Sequence, residues 1–468
     1  MIVDAKKAIE DRPAWQISCL VLVVSMLALL PAWLHYDIIS RDGAFQYIPV
    51  ARLFLDGNFV GALSRPQLPL YPMLMAALSW ITDMDLELSG RLISGLSFIL
   101  SALGLYKVTE LVFKDRWAAL LAVLFLISNK ELLDRSVDCL KESLFVFLVI
   151  WGNYFILRAL DTKGHTLLKH LFLGFFLLFL GSMVRMTVIF FVTAWLLMWV
   201  FRRKQGLITR AIILSTPVLA LLLFMAFRPG ASLFTRKGFA LPALISCWQG
   251  ILPMLESGAL VLRGFFATGN YLPVFFGFLG LYYFRRHVYY THLSLVLVIF
   301  LLVLSIMPWI SDRYFLAPLV WMYPLSAYAL TWSFSHLSRP IKILAILTIV
   351  LCPLVWADKA LTPPDADRLA RKDAGRWILA SAGGDNIVVT NRDRLAFYAR
   401  ARFVPLMGSN DIKKSPGRCM AIDTMLADGK AAKSVLDRMG IKPDRKFRTI
   451  YVYLPRYSGC AQRLKDIH

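Results

Sequence analysis

Between Trp15 and Trp356 the chain returns repeatedly to apolar runs about as long as a bilayer is thick, and its basic residues fall into every second gap between them. A helix crosses the hydrocarbon with about 20 mainly apolar residues, each advancing it by about 1.5 Å. The first such run is Trp15 to Leu34. It follows Lys6, Lys7 and Arg12, a basic flank that predicts a cytoplasmic N-terminus. No small-residue cleavage site follows it, so it reads as an uncleaved anchor. Further candidates lie at 88–106, 117–133, 142–157, 167–184, 187–201, 211–227, 271–284, 293–308, 315–334 and 341–356, giving about eleven transmembrane helices by the length criterion. The run Leu68 to Ile81 is shorter and carries prolines, so it predicts a re-entrant or interfacial helix.

With this count the basic loops alternate. Lys107, Lys114 and Arg116 share one side with Arg158, Lys163 and Lys169, with Arg202, Arg203, Lys204 and Arg210, with Arg285 and Arg286, and with Arg339 and Lys342. The positive-inside rule makes that side cytoplasmic. A missed or invented span would scatter the pattern. Composition agrees: 58% of the 468 residues are hydrophobic, against about 45 to 50% in an ordinary soluble protein, which excludes a disordered chain, a coiled coil and a simple soluble enzyme. The formal charge of +22 does not indicate a nucleic-acid partner, because its basic residues are dispersed among membrane loops and not gathered on one water-facing surface.

Past residue 356 the character changes. A helix-like stretch, Ala366 to Ala380, precedes a short apolar run, Asn386 to Thr390; a second helical pattern, Met420 to Met439, leads to an alternating strand, Phe447 to Leu454. The sequence thus predicts an α-helical polytopic membrane domain, 1–356, with a long first extracytoplasmic loop at 35–87, and a small extracytoplasmic α/β domain at 357–468. Six scattered cysteines make neither a disulfide framework nor a zinc site, although Cys419 and Cys460 share the tail and a bond between them is expected to be open. The seven histidines show no metal-ligand spacing.

The charges that basic anchoring does not explain collect at one predicted face: Asp42, Arg65, Arg91, Asp138, Glu142, Arg185, Asp312 and Arg313. A transporter would place charges near mid-membrane and show internal repeats, and this sequence shows neither pattern. Asp42 precedes an amphipathic helical pattern of Phe45, Ile48, Arg52 and Leu55, where an acid is also a simple N-terminal cap. Asp138 and Glu142 stand four apart, which predicts one helix face and makes them candidates for a metal or an acceptor amine, or for acids stabilising a helix start. Arg185 and Arg313, at outer ends of predicted spans, either snorkel to the interface or hold a phosphate. Arg91 is expected to brace the first loop by a salt bridge to Glu87.

Several runs together resemble a known superfamily. They are Asp42-Gly43 with Tyr47, Ala51, Arg52 and Gly57; Pro66-Gln67-Leu68-Pro69-Leu70-Tyr71-Pro72; Ser89-Gly90-Arg91-Leu92-Ile93-Ser94; Asp312-Arg313-Tyr314-Phe315-Leu316; and, in the tail, Trp377-Ile378 and Arg394-Leu395-Ala396-Phe397-Tyr398-Ala399. In this order they look like the GT-C superfamily, and more narrowly like bacterial protein mannosyltransferases and the transferases that add aminoarabinose or galacturonic acid to lipid A. The resemblance implies a GT-C fold and transfer of a sugar from a polyprenyl-phosphate donor at the extracytoplasmic face of the bacterial inner membrane, with a lipid-linked or protein acceptor. It implies that an acid of the first loop is the catalytic base, which here matches Asp42. Tyr47 stands five residues after that acid where the family often has four, which keeps Asp37 as the alternative base, and Gly43 replaces the common second acid, which leaves a divalent cation open. The charge argument adds Arg313 and Arg185 as ligands of the donor phosphate. The alternatives are an O-antigen ligase or polymerase using a diphosphate donor, and a transporter or flippase of lipid-linked saccharide.

Overall fold

The computed structural model describes residues 11–36, 38–202, 262–284, 288–306, 312–336, 338–382, 387–406, 419–424, 427–438 and 442–453. Among these, five helices are each long and apolar enough to cross a bilayer: α1 (Ala14–Leu34), α5 (Leu86–Phe113), α8 (Glu142–Leu160), α9 (Gly164–Ser182) and α15 (Arg339–Ala360). A sixth candidate is a pair bent by 115°, α11 (Leu262–Thr268) and α12 (Tyr271–Tyr283). The expected spans on described residues coincide with helices, α10 (Val188–Arg202), α13 (Val288–Ile306) and α14 (Leu316–His336) included, except 117–133. The expected span at 211–227 lies outside the described residues.

Apolar residues lie exposed along α1 (Val23, Met26, Leu27, Leu30), α9 (Phe172, Phe176, Phe179) and α15 (Ile346, Val350, Leu354). Continuous apolar surface of this kind requires a bilayer to cover it. The chain is a multi-pass membrane protein.

The helices begin and end where local chemistry satisfies their free backbone groups. Asp85 accepts from Leu88 N at 2.8 Å and starts α5; Lys114, left-handed at φ 55, ends it; Asp115 accepts from Ala118 N at 3.0 Å and starts α6 (Arg116–Ile127) at once. The expected span 117–133 is broken. Asn129 caps a separate short helix, α7 (Lys130–Ser136), and its side-chain amide donates to Thr268 O at 2.9 Å and to the Tyr323 hydroxyl at 2.8 Å. A fully buried asparagine with its donors and acceptor engaged is cheaper than a continuous helix that would leave them unpaired. The stretch expected to be re-entrant or interfacial forms α4 (Leu70–Thr82), after the π turn Gly43–Tyr47, α2 (Ile48–Leu55) and α3 (Phe59–Leu63).

Contacts divide the chain into two compact units, Met1–Leu34 with Tyr47–Thr362, and His35–Gln46 with Pro363–His468. The second unit takes in residues from Pro363 on and the opening of the first loop. After α16 (Ala366–Ala382) it carries β1 (Ile387–Thr390), α17 (Asp393–Tyr398), β2 (Arg402–Pro405), β3 (Cys419–Asp423), α18 (Ala427–Arg438), β4 (Arg445–Phe447) and β5 (Ile450–Tyr453). The five-stranded sheet has the order β2-β1-β3-β5-β4, parallel across β2, β1 and β3 and antiparallel from β3 through β5 to β4. Alternate side chains serve two cores. Val388, Cys419, Ala421, Ile450 and Val452 pack with Ala374 and Ile378 of α16, while Val389, Met420, Ile422 and Tyr453 pack with Ala432 and Leu436 of α18. Coverage on both faces explains why β3 is apolar without alternation over Cys419–Ile422, and why the sequence there reads as the beginning of a helix; the structure corrects the expected helix Met420 to Met439 to a strand followed by α18. Cys419 is a buried free thiol, and Cys460 lies outside the described residues.

Candidate active site

In the membrane unit, the N-terminus of α8, the turn between α9 and α10, and the 3-10 turn Asp312–Tyr314 before α14 come together. Arg185 lies in the turn between α9 and α10. Its side chain is only 8% exposed. One terminal nitrogen, Nη1, donates to Arg313 O at 2.8 Å, and the guanidinium stands 4.5 Å from the Tyr314 ring and 5.9 Å from that of Phe145. The facing carboxylate is Glu142, whose Oε1 is 3.8 Å from Arg185 Nη1, too long for a hydrogen bond. Both Glu142 oxygens are buried without a hydrogen-bond partner among the described residues. Burial pulls the Arg185 guanidinium below its ordinary pKa, opposed by Glu142 and Tyr314, with Arg313 adding to the fall. Among the described residues this buried guanidinium is held by one carbonyl, near a carboxylate it does not properly pair with, and an anionic oxygen would satisfy it. Arg313 itself is half-buried, its guanidinium 5.9 Å from the Tyr314 ring.

Asp138 and Glu142 do not share a helix face. α7 ends at Ser136, and a tight turn over 137–141 intervenes before Glu142 opens α8. The turn is fixed from α5: Arg91 Nε donates to Val137 O at 2.9 Å, Ser94 Oγ donates to Leu140 O at 2.8 Å, and the Cys139 thiol donates to Glu87 O at 3.0 Å. Arg91 also donates to Trp33 O at 3.1 Å and covers the Trp33 ring at 4.3 Å. Its bracing thus reaches the 137–141 turn and the end of α1 through carbonyls. Asp138 is buried and accepts the amide hydrogen of Cys139 at 2.6 Å. Glu142 keeps its place at a helix start, where a carboxylate favours the dipole. Among the described residues no three His, Cys, Asp or Glu side chains are grouped to hold a metal ion.

Asp42 belongs to the second unit. Ser40 opens its helix: Ser40 Oγ accepts from Gly43 N at 3.1 Å and Ser40 O from Ala44 N at 3.0 Å. The half-buried Asp42 carboxylate accepts from Gln46 Nε2 at 2.6 Å. The turn that follows is a π turn, Gly43–Tyr47. Such a turn closes with i→i+5 bonds in place of i→i+4, so it absorbs one extra residue. The five-residue interval from Asp42 to Tyr47 is then one turn, as a four-residue interval is in an α-helix. Asp37 lies outside the described residues.

The segment around Asp42 is gripped by α17. The Tyr398 hydroxyl accepts from Ile39 N at 3.1 Å, Arg41 Nε pairs with Asp393 Oδ2 at 3.1 Å, and the Phe45 and Phe397 rings meet edge to face at 6.4 Å. Lys372 of α16 lies over the rings of Tyr36 and Tyr398, at 5.4 and 5.2 Å. Sequence reasoning singled out the 394–399 run by resemblance but gave its residues no role. No local signal carries the contact, because its partners stand 359 positions apart.

Residues 64–228 match the family described as dolichyl-phosphate-mannose-protein mannosyltransferase. Among solved structures, ArnT from Cupriavidus metallidurans bound to undecaprenyl phosphate superimposes with a TM-score of 0.61 at 12% identity, over 95% of this chain and 99% of that one. By fold, the chain is similar to ArnT. The apo state of the same ArnT aligns with this chain at a TM-score of 0.60 and 12% identity, over 94% and 98%. The Archaeoglobus fulgidus oligosaccharyltransferase AglB, in complex with an inhibitory peptide and a dolichol-phosphate, gives 0.53 at 13% identity, over 92% of this chain and 69% of AglB. No curated protein matches the chain by sequence.

Proposed function

We propose that the chain is a glycosyltransferase that moves a hexose or pentose from a polyprenyl-phosphate donor to a lipid-linked or protein acceptor, at the extracytoplasmic face of a bacterial inner membrane. The observation that carries this reading is the buried guanidinium of Arg185, bonded to the carbonyl of Arg313. It stands in a fold shared with a protein that binds undecaprenyl phosphate.

The reaction asks for three things. The acceptor hydroxyl attacks the anomeric carbon, forming the new glycosidic bond as the bond to the phosphate oxygen breaks. The hydroxyl proton needs a carboxylate within hydrogen-bond reach, and Asp42 takes it. The leaving polyprenyl phosphate gains negative charge, and Arg185 and Arg313 stabilise it most where that charge develops. Direct displacement of this kind inverts the anomeric centre. Glu142 tempers the charge on Arg185, and Asp138, held in its turn, is assigned to the acceptor.

The test is Asp42→Asn, purified with unaltered thermal unfolding and assayed for transfer from an undecaprenyl-phosphate sugar. Loss of turnover is expected, and turnover near that of the unaltered chain refutes the base. Replacing the monophosphate donor by a diphosphate one separates this reading from an O-antigen ligase or polymerase.

A further inference from the structure

In the second unit, β2 and β3 flank β1 on opposite sides and all three run parallel, so the connections leaving β1 and β3 diverge. In open α/β sheets such a divergence opens a crevice at the carboxyl ends of the strands, the usual place for a ligand. Asn391 and Arg392 follow β1 at that edge, and Asp423 ends β3. Asn391 ties the ends of the two strands together. The Asn391 side-chain amide donates to Asp423 O at 2.9 Å and its oxygen accepts from Asp423 N at 3.0 Å.

Asp423 is 1% exposed. Its Oδ2 accepts from Arg392 Nε at 2.8 Å and from Arg371 Nε of α16 at 3.3 Å, and its Oδ1 accepts from the Thr449 hydroxyl at 3.0 Å. One carboxylate oxygen therefore serves two guanidinium groups, and each gives it only Nε. Their terminal nitrogens make no hydrogen bond or ion pair with any other described residue. Of the nearby acids, Asp365 pairs with Arg368 at 3.4 Å and Asp367 with Arg448 at 3.1 Å. Burial, with the like charge of Arg392 beside it, holds the Arg371 guanidinium below its ordinary pKa. Both side chains still reach solvent, at 15% and 26% exposure.

We propose that this edge binds a phosphoryl group between Arg371 and Arg392. The Nε contacts orient both planar forks, and the opposite edges of the guanidinium groups offer paired N–H donors, the geometry that matches phosphate oxygens. Two forks from different elements suit a tetrahedral group better than a planar carboxylate, which one fork satisfies. The chemistry is shared by free phosphate and by a phosphodiester lipid headgroup. The site is independent of the role assigned to Asp42.

The experiment uses the full chain in detergent and phosphate-free buffer, titrated with inorganic phosphate, with short-chain phosphatidylglycerol and with acetate, and read by calorimetry. Saturable binding of one of the phosphorus ligands is expected, with acetate at least ten-fold weaker. Saturation by inorganic phosphate identifies a free anion, and saturation by the lipid alone identifies a headgroup. Arg392→Gln is expected to weaken binding at least ten-fold, and Arg392→Lys, which keeps the charge and loses the fork, at least five-fold. If Arg392→Gln does not fold, Arg392→Lys gives the same decision. Absence of saturable binding by either phosphorus ligand, or unchanged affinity in the folded variant, overturns the site.

Discussion

The hydroxyl of Tyr398 accepts the backbone amide hydrogen of Ile39 at 3.1 Å, in a buried contact that ties the C-terminal α/β unit to the segment three residues before Asp42. Tyr398→Phe keeps the ring against Lys372 but leaves that amide without its acceptor, a loss of about 1 to 3 kcal/mol for a buried group. The Arg41–Asp393 pair beside it is exposed on the arginine side, at 77%, and is worth less than about 1 kcal/mol. Turnover is therefore expected to fall at least ten-fold in Tyr398→Phe and less than three-fold in Asp393→Asn, with the donor KM nearly unchanged in both. Equal losses, or a loss confined to KM, would show that α17 does not position Asp42.

How much of this was legible in sequence depends on the range of the forces involved. Spans and caps are local: an apolar run with Asp85 or Asp115 before it fixes its own helix. Asp138 and Glu142 illustrate the limit. Spacing alone puts them on one helix face, but bonds from Arg91 and Ser94, each 46 residues distant, hold a turn between them. β3 is similar, since a run of four apolar residues, Cys419–Ile422, covered on both faces fits a strand or a helix equally well until its neighbours are known. The π turn within the Asp42 to Tyr47 interval is likewise invisible to a periodicity count.

Gly174 of α9 meets Gly152 of α8 so closely that a Cβ on Gly174 would stand 2.9 Å from Gly152 O and 2.6 Å from Ile156 Cγ1. The first is backbone and cannot rotate away. Small residues permit this approach between membrane helices. Gly174→Ala is expected to destabilise the chain by about 1 to 3 kcal/mol, as overpacking generally does. Thermal unfolding in detergent measures it, and an unchanged midpoint would mean that α8 and α9 separate without cost.

The Cys419 thiol sits in β3 between α16 and the sheet, where burial first and the charge of Asp444 second push its pKa up. Because the folded value lies above the unfolded one, this group's stabilising contribution is complete below the ordinary thiol pKa and is lost as pH rises through the folded value. Maleimide is expected to leave Cys419 unmodified at pH 8 in the folded chain and to label it on unfolding. Stability is expected to decline between about pH 8 and 10 less steeply in Cys419→Ala. Rapid native labelling, or identical pH slopes, would contradict the burial of this thiol.

Glu142 and Arg185 give the sharpest signed expectation, because removing the acid acts oppositely in the two roles open to it. Glu142→Gln leaves the length of the side chain and the start of α8 intact while removing the only carboxylate within 4.0 Å of Arg185 among the described residues. If Arg185 holds the donor phosphate, its charge is then less opposed, and the donor KM falls, by about three-fold or more, even as the chain loses some stability. If Glu142 instead receives the acceptor, the acceptor KM rises and the donor KM stays. Arg185→Lys supplies the complement. It keeps a positive charge but loses the planar group that bonds Arg313 O and stacks on Tyr314, so turnover is expected to fall at least ten-fold. A Glu142→Gln variant with a raised donor KM, or an Arg185→Lys variant with full turnover, would remove Arg185 from the donor phosphate site.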